Sequence, residues 1–203
     1  MHVRDTADKW EVVSSTERLR TKLLKVTTEA VRMPDGAVAD RDLISHPGSV
    51  TVVAVDERGY VLLLRQYRHA VKHLLWELPA GLRDRPGEAL VDLAARELAE
   101  ESGYRADTWH TLLDLFVTPG ASDERSRIFL ARGITAIPEE EITFVREHEE
   151  ADMPTIWMPL QEAVEHVLAG MIHNSPTVAG ILAAYVASAE GFAGLRPADT
   201  PEE

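Results

Sequence analysis

The first third of the chain carries its apolar residues in short, β-branched blocks, and helical spacing sets in only near residue 88. Residues 19–32 are rich in Val, Leu and Thr, and Pro34-Asp35-Gly36 is a turn signal before extended structure resumes over 38–46. That spacing predicts a hairpin. A β-branched block at 49–55 closes in a turn at 56–59, and 60–67 forms a second block expected to pair with it. Residues 74–78 form a third, stopped by Pro79-Ala80-Gly81. Over 88–102, Val91, Ala94, Ala95 and Leu98 recur at i, i+3, i+4 and i+7, predicting a helix with one buried stripe that ends at Gly103. Strands are predicted at 109–117, 128–131 and 153–157, with an acidic loop over 137–152. Helices are predicted at 160–168 and 176–189, the second opened by Pro176. The pattern describes an α/β chain with a mixed sheet and helices on its faces. A strand-rich arm (1–47) precedes the main domain (48–196), and the tail (197–203) is expected to fray.

Composition narrows the function. The 203 residues are 45% hydrophobic and 27% charged, ordinary for a globular protein with its own core. There is no cysteine, which excludes disulfides, thiolate zinc sites and a cysteine nucleophile. The formal net charge of −13 speaks against a nucleic-acid or anionic-membrane surface. It permits a small anionic substrate if a divalent cation bridges the two. Residues 1–13 lack the apolar core of a signal peptide, and the expected location is the cytoplasm.

The chemistry concentrates in the helix at 88–102. The patterns G-x-S-x-G, G-x-x-x-x-G-K, G-x-G-x-x-G and H-E-x-x-H are all absent. Glu97, Glu100 and Glu101 stand at i, i+3 and i+4, on one helix face within about 100° of arc. Like charges at that spacing repel, and only Arg96 is interleaved. Such a face suits a hard, oxygen-preferring cation. By spacing alone, a metal site and an acidic solvated face are equally open.

Reading outward gives Gly81, six residues, Glu88, seven residues, then Arg96-Glu97-Leu98-Ala99-Glu100-Glu101-Ser102-Gly103-Tyr104. This resembles the Nudix box, with every fixed residue present. The loop is one residue longer, through Gly87, and Tyr104 stands where an aliphatic residue is usual. The resemblance implies a Nudix α/β/α sandwich and hydrolysis of a nucleoside diphosphate linked to another group. It also implies Mg²⁺ or Mn²⁺, with two or more ions. By resemblance Glu97 and Glu101 are direct ligands, Glu100 is a ligand or supports one, and the Ala80 carbonyl completes the site. Arg96 would orient the carboxylates and Glu88 would buttress the loop.

Residues outside the box resemble the ADP-ribose pyrophosphatase branch. They are Leu75-Trp76-Glu77-Leu78-Pro79-Ala80-Gly81, Pro119 sixteen residues after Gly103, and Arg65-Gln66-Tyr67-Arg68-His69. Arg41 stands in a segment similar to that branch's dimer interface, and Ser122-Asp123-Glu124-Arg125 resembles its substrate-closing loop. Arg41, Arg65, Arg68, Trp76, Glu77, Pro119, Ser122 and Glu124 are therefore the expected substrate residues. Residues 147–153 match the loop from which the branch supplies a catalytic glutamate, which implies Glu150, or Glu149 one residue earlier. Plainer readings stand beside these: Arg65 and Arg68 as structural ion pairs, and Trp76 as core. The expected reaction is ADP-ribose to AMP and ribose 5-phosphate, in a homodimer joined through the arm. The alternatives are another nucleoside diphosphate sugar or a dinucleotide as substrate, or a nucleotide sensor without turnover.

Overall fold

In a computed structural model that describes residues 3–142 and 153–202, the chain divides into two compact units. One is Met1–Pro47 with Thr118–Glu124, and the other is Gly48–Val117 with Arg125–Glu203.

The first unit is a three-stranded antiparallel sheet of β1 (Val12–Arg20), β2 (Lys25–Arg32) and β3 (Val38–Ser45). The expected continuous strand over 19–32 is instead broken at 21–24. There the Thr21 hydroxyl accepts the backbone N–H groups of Leu23 and Leu24, a local turn that competes with the ladder. Residues 12–20, not expected as a strand, form β1 and are exposed along their whole length. Ser122 bridges to Ile44, whose N–H donates to the Ala121 carbonyl and whose carbonyl accepts the Asp123 N–H.

The second unit holds the mixed α/β layers. Its five-stranded sheet runs β11 (Arg196–Pro197), β8 (Tyr104–Phe116), β9 (Arg125–Ala136), β4 (Ser49–Ala54) and β7 (Ala80–Leu82). Only β4 and β9 pair in parallel. A three-stranded sheet orders β10 (Thr155–Pro159), β5 (Tyr60–Arg68) and β6 (His73–Glu77). The helices are α1 (Leu90–Ser102), α2 (Leu160–Leu168) and α3 (Ser175–Ser188).

Strand alternation splits the core in two. Val50, Val52, Ala54 and Phe129 pack with Leu93, Ala94 and Leu98 of α1. Val53, Ile128 and Leu130 pack with Ile181 and Ala184 of α3 and Ala163 of α2. The sheet is thus covered on both faces. This explains why the expected hairpin between 49–55 and 60–67 is reduced to one bridge, Val55 to Val61. A strand buried on both faces takes a central place, and β4 takes it between β9 and β7.

Further boundaries shift, and β9 (Arg125–Ala136) runs well beyond the strand expected at 128–131. α1 starts at Leu90 because Ala89 is extended and Glu88 closes a turn onto the Arg85 carbonyl. β8 begins directly after Gly103, where the ladder to β9 from Tyr104–Ala136 to Phe116–Arg125 carries polar positions into strand. The tail is not frayed. Arg196 and Pro197 pair with β8, and residues up to Glu202 dock on the same unit. Among the described residues, no helix is long and apolar enough to cross a membrane.

Candidate active site

The glutamate face of α1 is held from two directions. On one side it meets β7. Glu101, almost fully buried, accepts the Ala80 N–H at 2.8 Å. Gly81 lies so close to Glu97 that a Cβ there would overlap its carboxyl group. On the other side stands Arg96. Its Nη1 donates to Glu97 at 2.7 Å and to Glu100 at 2.9 Å, and its Nε and Nη2 fork onto Glu88 at 3.0 and 3.2 Å. Hydrogen bonding from Arg96 holds the Glu88 carboxyl below the usual range, and the carboxylates in turn keep Arg96 more firmly protonated. Without a cation, three like charges on one helix face would repel. Arg96 neutralises part of that charge.

The donor set is hard oxygen: Glu97, Glu100, Glu101 and the neighbouring Ala80 backbone. Its chemistry fits a divalent cation such as Mg²⁺. As they stand among the described residues, no three such side chains close around one point. Arg96 and the Ala80 N–H engage them.

β5 and β6 bring four of the expected substrate residues together. Arg68 forks onto Glu77, Nε to Oε1 at 3.0 Å and Nη2 to Oε2 at 2.6 Å, and Glu77 is only 2% exposed. A buried carboxylate needs such a partner. The Arg65 guanidinium lies 5.7 Å from the ring centre of its cross-strand neighbour Trp76, which packs on the core. The plainer readings, an ion pair for Arg68 and packing for Trp76, are therefore present as contacts.

Arg41, Pro119, Ser122 and Glu124 belong to the first unit. Arg41 donates to the Asp40 carbonyl at 2.9 Å and lies 3.6 Å from the Met33 sulfur. Pro119 sits in an exposed turn. The Glu124 N–H donates to the Ser122 hydroxyl at 3.1 Å, and the Glu124 carboxylate lies 3.7 Å from the His46 ring. Glu149 and Glu150 lie outside the described residues.

The profile of the NUDIX domain matches residues 45–178. The chain belongs to the Nudix hydrolase family. This Nudix chain is 43% identical over 191 residues to the ADP-ribose pyrophosphatase of Mycobacterium tuberculosis, covering 94% of itself and 90% of that protein. It is 34% identical to the CMP-5'-(N-acetyl-N-hydroxy-3-aminopropyl)phosphonate hydrolase of Streptomyces rubellomurinus, over 80% of itself and 76% of that protein. A crystal structure of an ADP compounds hydrolase matches with a TM-score of 0.74 at 18% identity, over 93% of this chain and 99% of that one. That likeness speaks to the fold.

Sequence reasoning missed one cluster in the second unit. Arg127, only 2% exposed, forks onto Asp114, which also pairs with Arg196, while Arg83 pairs with Glu202. The one local signal was an arginine at the edge of the apolar run over 128–131.

Proposed function

We infer that the chain is a divalent-metal-dependent pyrophosphohydrolase that cleaves ADP-ribose to AMP and ribose 5-phosphate. The observation that carries this reading is the α1 carboxylate face backed by Ala80 and Gly81. It occurs in a chain 43% identical, over 94% of its length, to an ADP-ribose pyrophosphatase.

Glu97 and Glu101 would hold the ions, with Glu100 and the Ala80 carbonyl assisting; Mg²⁺ or Mn²⁺, two or more, fits the oxygen donors. When bound, such ions neutralise phosphate oxygens and acidify a coordinated water. The chain's own work is to hold these carboxylates in register. Arg96 does so by bridging Glu97 and Glu100 and anchoring to Glu88. Arg65 and Arg68 offer positive charge to a diphosphate, with Trp76 and Glu77 fixing their directions. Arg41, Pro119, Ser122 and Glu124 are assigned to substrate on the resemblance alone. So is Glu150, as the base that takes the proton of the attacking water, with Glu149 as its rival.

The working form is proposed to be a homodimer joined through the arm. The exposed β1 with Val12, Val13 and Leu19 outward supports this, since a small sheet with little core of its own is marginal alone. Light scattering at micromolar concentration is expected to give twice the chain mass. A monomer that still hydrolyses ADP-ribose would refute the dimer. For the substrate, kcat/KM across ADP-ribose, other nucleoside diphosphate sugars and dinucleotides is expected to be highest for ADP-ribose. Preference for another member by tenfold or more would replace that assignment and leave the chemistry in place.

A further inference from the structure

Residues 196–202 form a strap that crosses one end of the five-stranded sheet. Arg196 and Pro197 add a short strand to β8 opposite Thr111 and His110, and the Thr111 hydroxyl donates to the Pro197 carbonyl at 3.0 Å. Further on, Arg127 donates to the Thr200 carbonyl, and the Thr200 N–H turns back to Pro197 at 3.1 Å. The strap then reaches Arg83, whose Nη1 and Nη2 meet the Glu202 carboxylate at 2.7 and 2.5 Å.

The course of the strap follows one rung of the sheet. Asp114 pairs with Arg127, Arg127 with Val50, and Val50 with Gly81. Cross-strand partners project to the same face, and Val50 packs with α1. The rung therefore runs on the α1 side and ends at Gly81, against which Glu97 rests.

Arg83 stands at a junction. It directly follows β7, which supplies Ala80 to Glu101 and Gly81 to Glu97. It opens the loop that carries Glu88 to Arg96. Its N–H donates to the Gly48 carbonyl at 3.1 Å, and its side chain lies over Gly48, where a Cβ would come within 3.1 Å of Nε. Gly48 has a φ of 89°, a conformation that also favours glycine. Among the described residues the buried Arg83 Nε finds no hydrogen-bond partner. A guanidinium held there with one donor unmatched depends on the carboxylate that satisfies its two terminal nitrogens.

We propose that Glu202, acting through Arg83, is a positioning residue for the metal-binding carboxylates of α1. This rests on the metal-dependent reading of that face but not on the identity of the substrate. Without Glu202 the Arg83 side chain gains by turning to water, and the loop over 82–88 loses its anchor at the point where both carboxylate supports begin.

The test uses the full chain and needs no substrate. In Glu202→Ala, hydrogen–deuterium exchange over 82–88 is expected to accelerate about tenfold. Calorimetric binding of Mn²⁺ alone is expected to weaken about tenfold, the lower end for outlying supports of metal ligands. Glu202→Asp should recover most of both. Arg196→Ala, which cuts the ion pair at the strap's other end, should leave both within about twofold of the parent, since the Pro197 and Thr200 contacts persist. If Glu202→Ala folds poorly, the isosteric Glu202→Gln gives the same two readouts. Unchanged exchange and unchanged Mn²⁺ affinity would overturn the proposal. Faster exchange with unchanged affinity would overturn it as well, because the strap would then stabilise the fold without positioning the site. Failure of ADP-ribose turnover alone moves neither readout.

Discussion

The carboxyl group of Glu97 occupies the space that a side chain on Gly81 would need. The contact joins a helix to a strand, and it makes a glycine in β7 a condition for where a glutamate of α1 points. Gly81→Ala should leave the fold standing, because the crowded atoms are the far end of a flexible side chain. It should displace the carboxylate and lower kcat/KM by about 10²-fold, since an ångström of misplacement is enough for that. Activity within threefold of the parent, alongside an unchanged thermal midpoint, would contradict the close approach.

Glu97→Gln and Glu101→Gln remove charge while keeping shape. Each should cut turnover by about 10²-fold or more and weaken Mn²⁺ binding about 10–100-fold. Glu101→Gln carries an added consequence: the charge-assisted bond that its buried carboxylate accepts from the Ala80 N–H becomes a weaker neutral one. It should therefore also lose thermal stability, whereas in Glu97→Gln the weaker bond from Arg96 is offset by relief of the repulsion from Glu100 and Glu101. Calorimetry and differential scanning separate the two.

The helix was legible in the sequence because both of its signals are local. Apolar residues and carboxylates repeat within one turn, so the face and its chemistry follow from spacing. Even there the buried stripe falls on Leu93, Ala94 and Leu98 rather than on Val91 and Ala95, which are partly exposed. Pairing was less legible. The blocks at 49–55 and 60–67 are equally apolar, and their separation into two sheets follows from helices on both faces of β4. The strap was illegible for a plainer reason: Arg83 and Glu202 are 119 positions apart, and no periodicity links them. Glu77 lay between the two cases. A lone acid inside Leu-Leu-Trp-Glu-Leu announces a buried partner, but only the β5–β6 register brings Arg68 within reach.

Stability should depend on pH through Glu88. Its hydrogen bonds from Arg96 hold its carboxyl below the ordinary 4.5 in the folded chain. The stabilisation is therefore complete above pH 4.5 and is lost as the pH falls through the lower folded value. At pH 7, Glu88→Gln should cost about 1 kcal/mol, a fall of roughly 2–4 °C in Tm. At pH values below the folded one, parent and variant should melt together. A constant gap across the titration would show that the charge is not responsible.

The catalytic base is expected outside the α1 face, since carboxylates that ligate metal lose basicity. Glu150→Gln should lower kcat by about 10²-fold or more with little change in substrate affinity. The same effect in Glu149→Gln would shift the register by one. Full activity in both would leave the proton to a group other than these glutamates.

The most direct measurement is product chromatography of ADP-ribose incubated with the chain and Mg²⁺. AMP and ribose 5-phosphate should accumulate in equal amounts, neither should form in excess chelator, and with Glu97→Gln both should form more slowly by about 10²-fold or more. Intact ADP-ribose in the presence of Mg²⁺ or Mn²⁺, or the same products at full rate in chelator, would contradict the account.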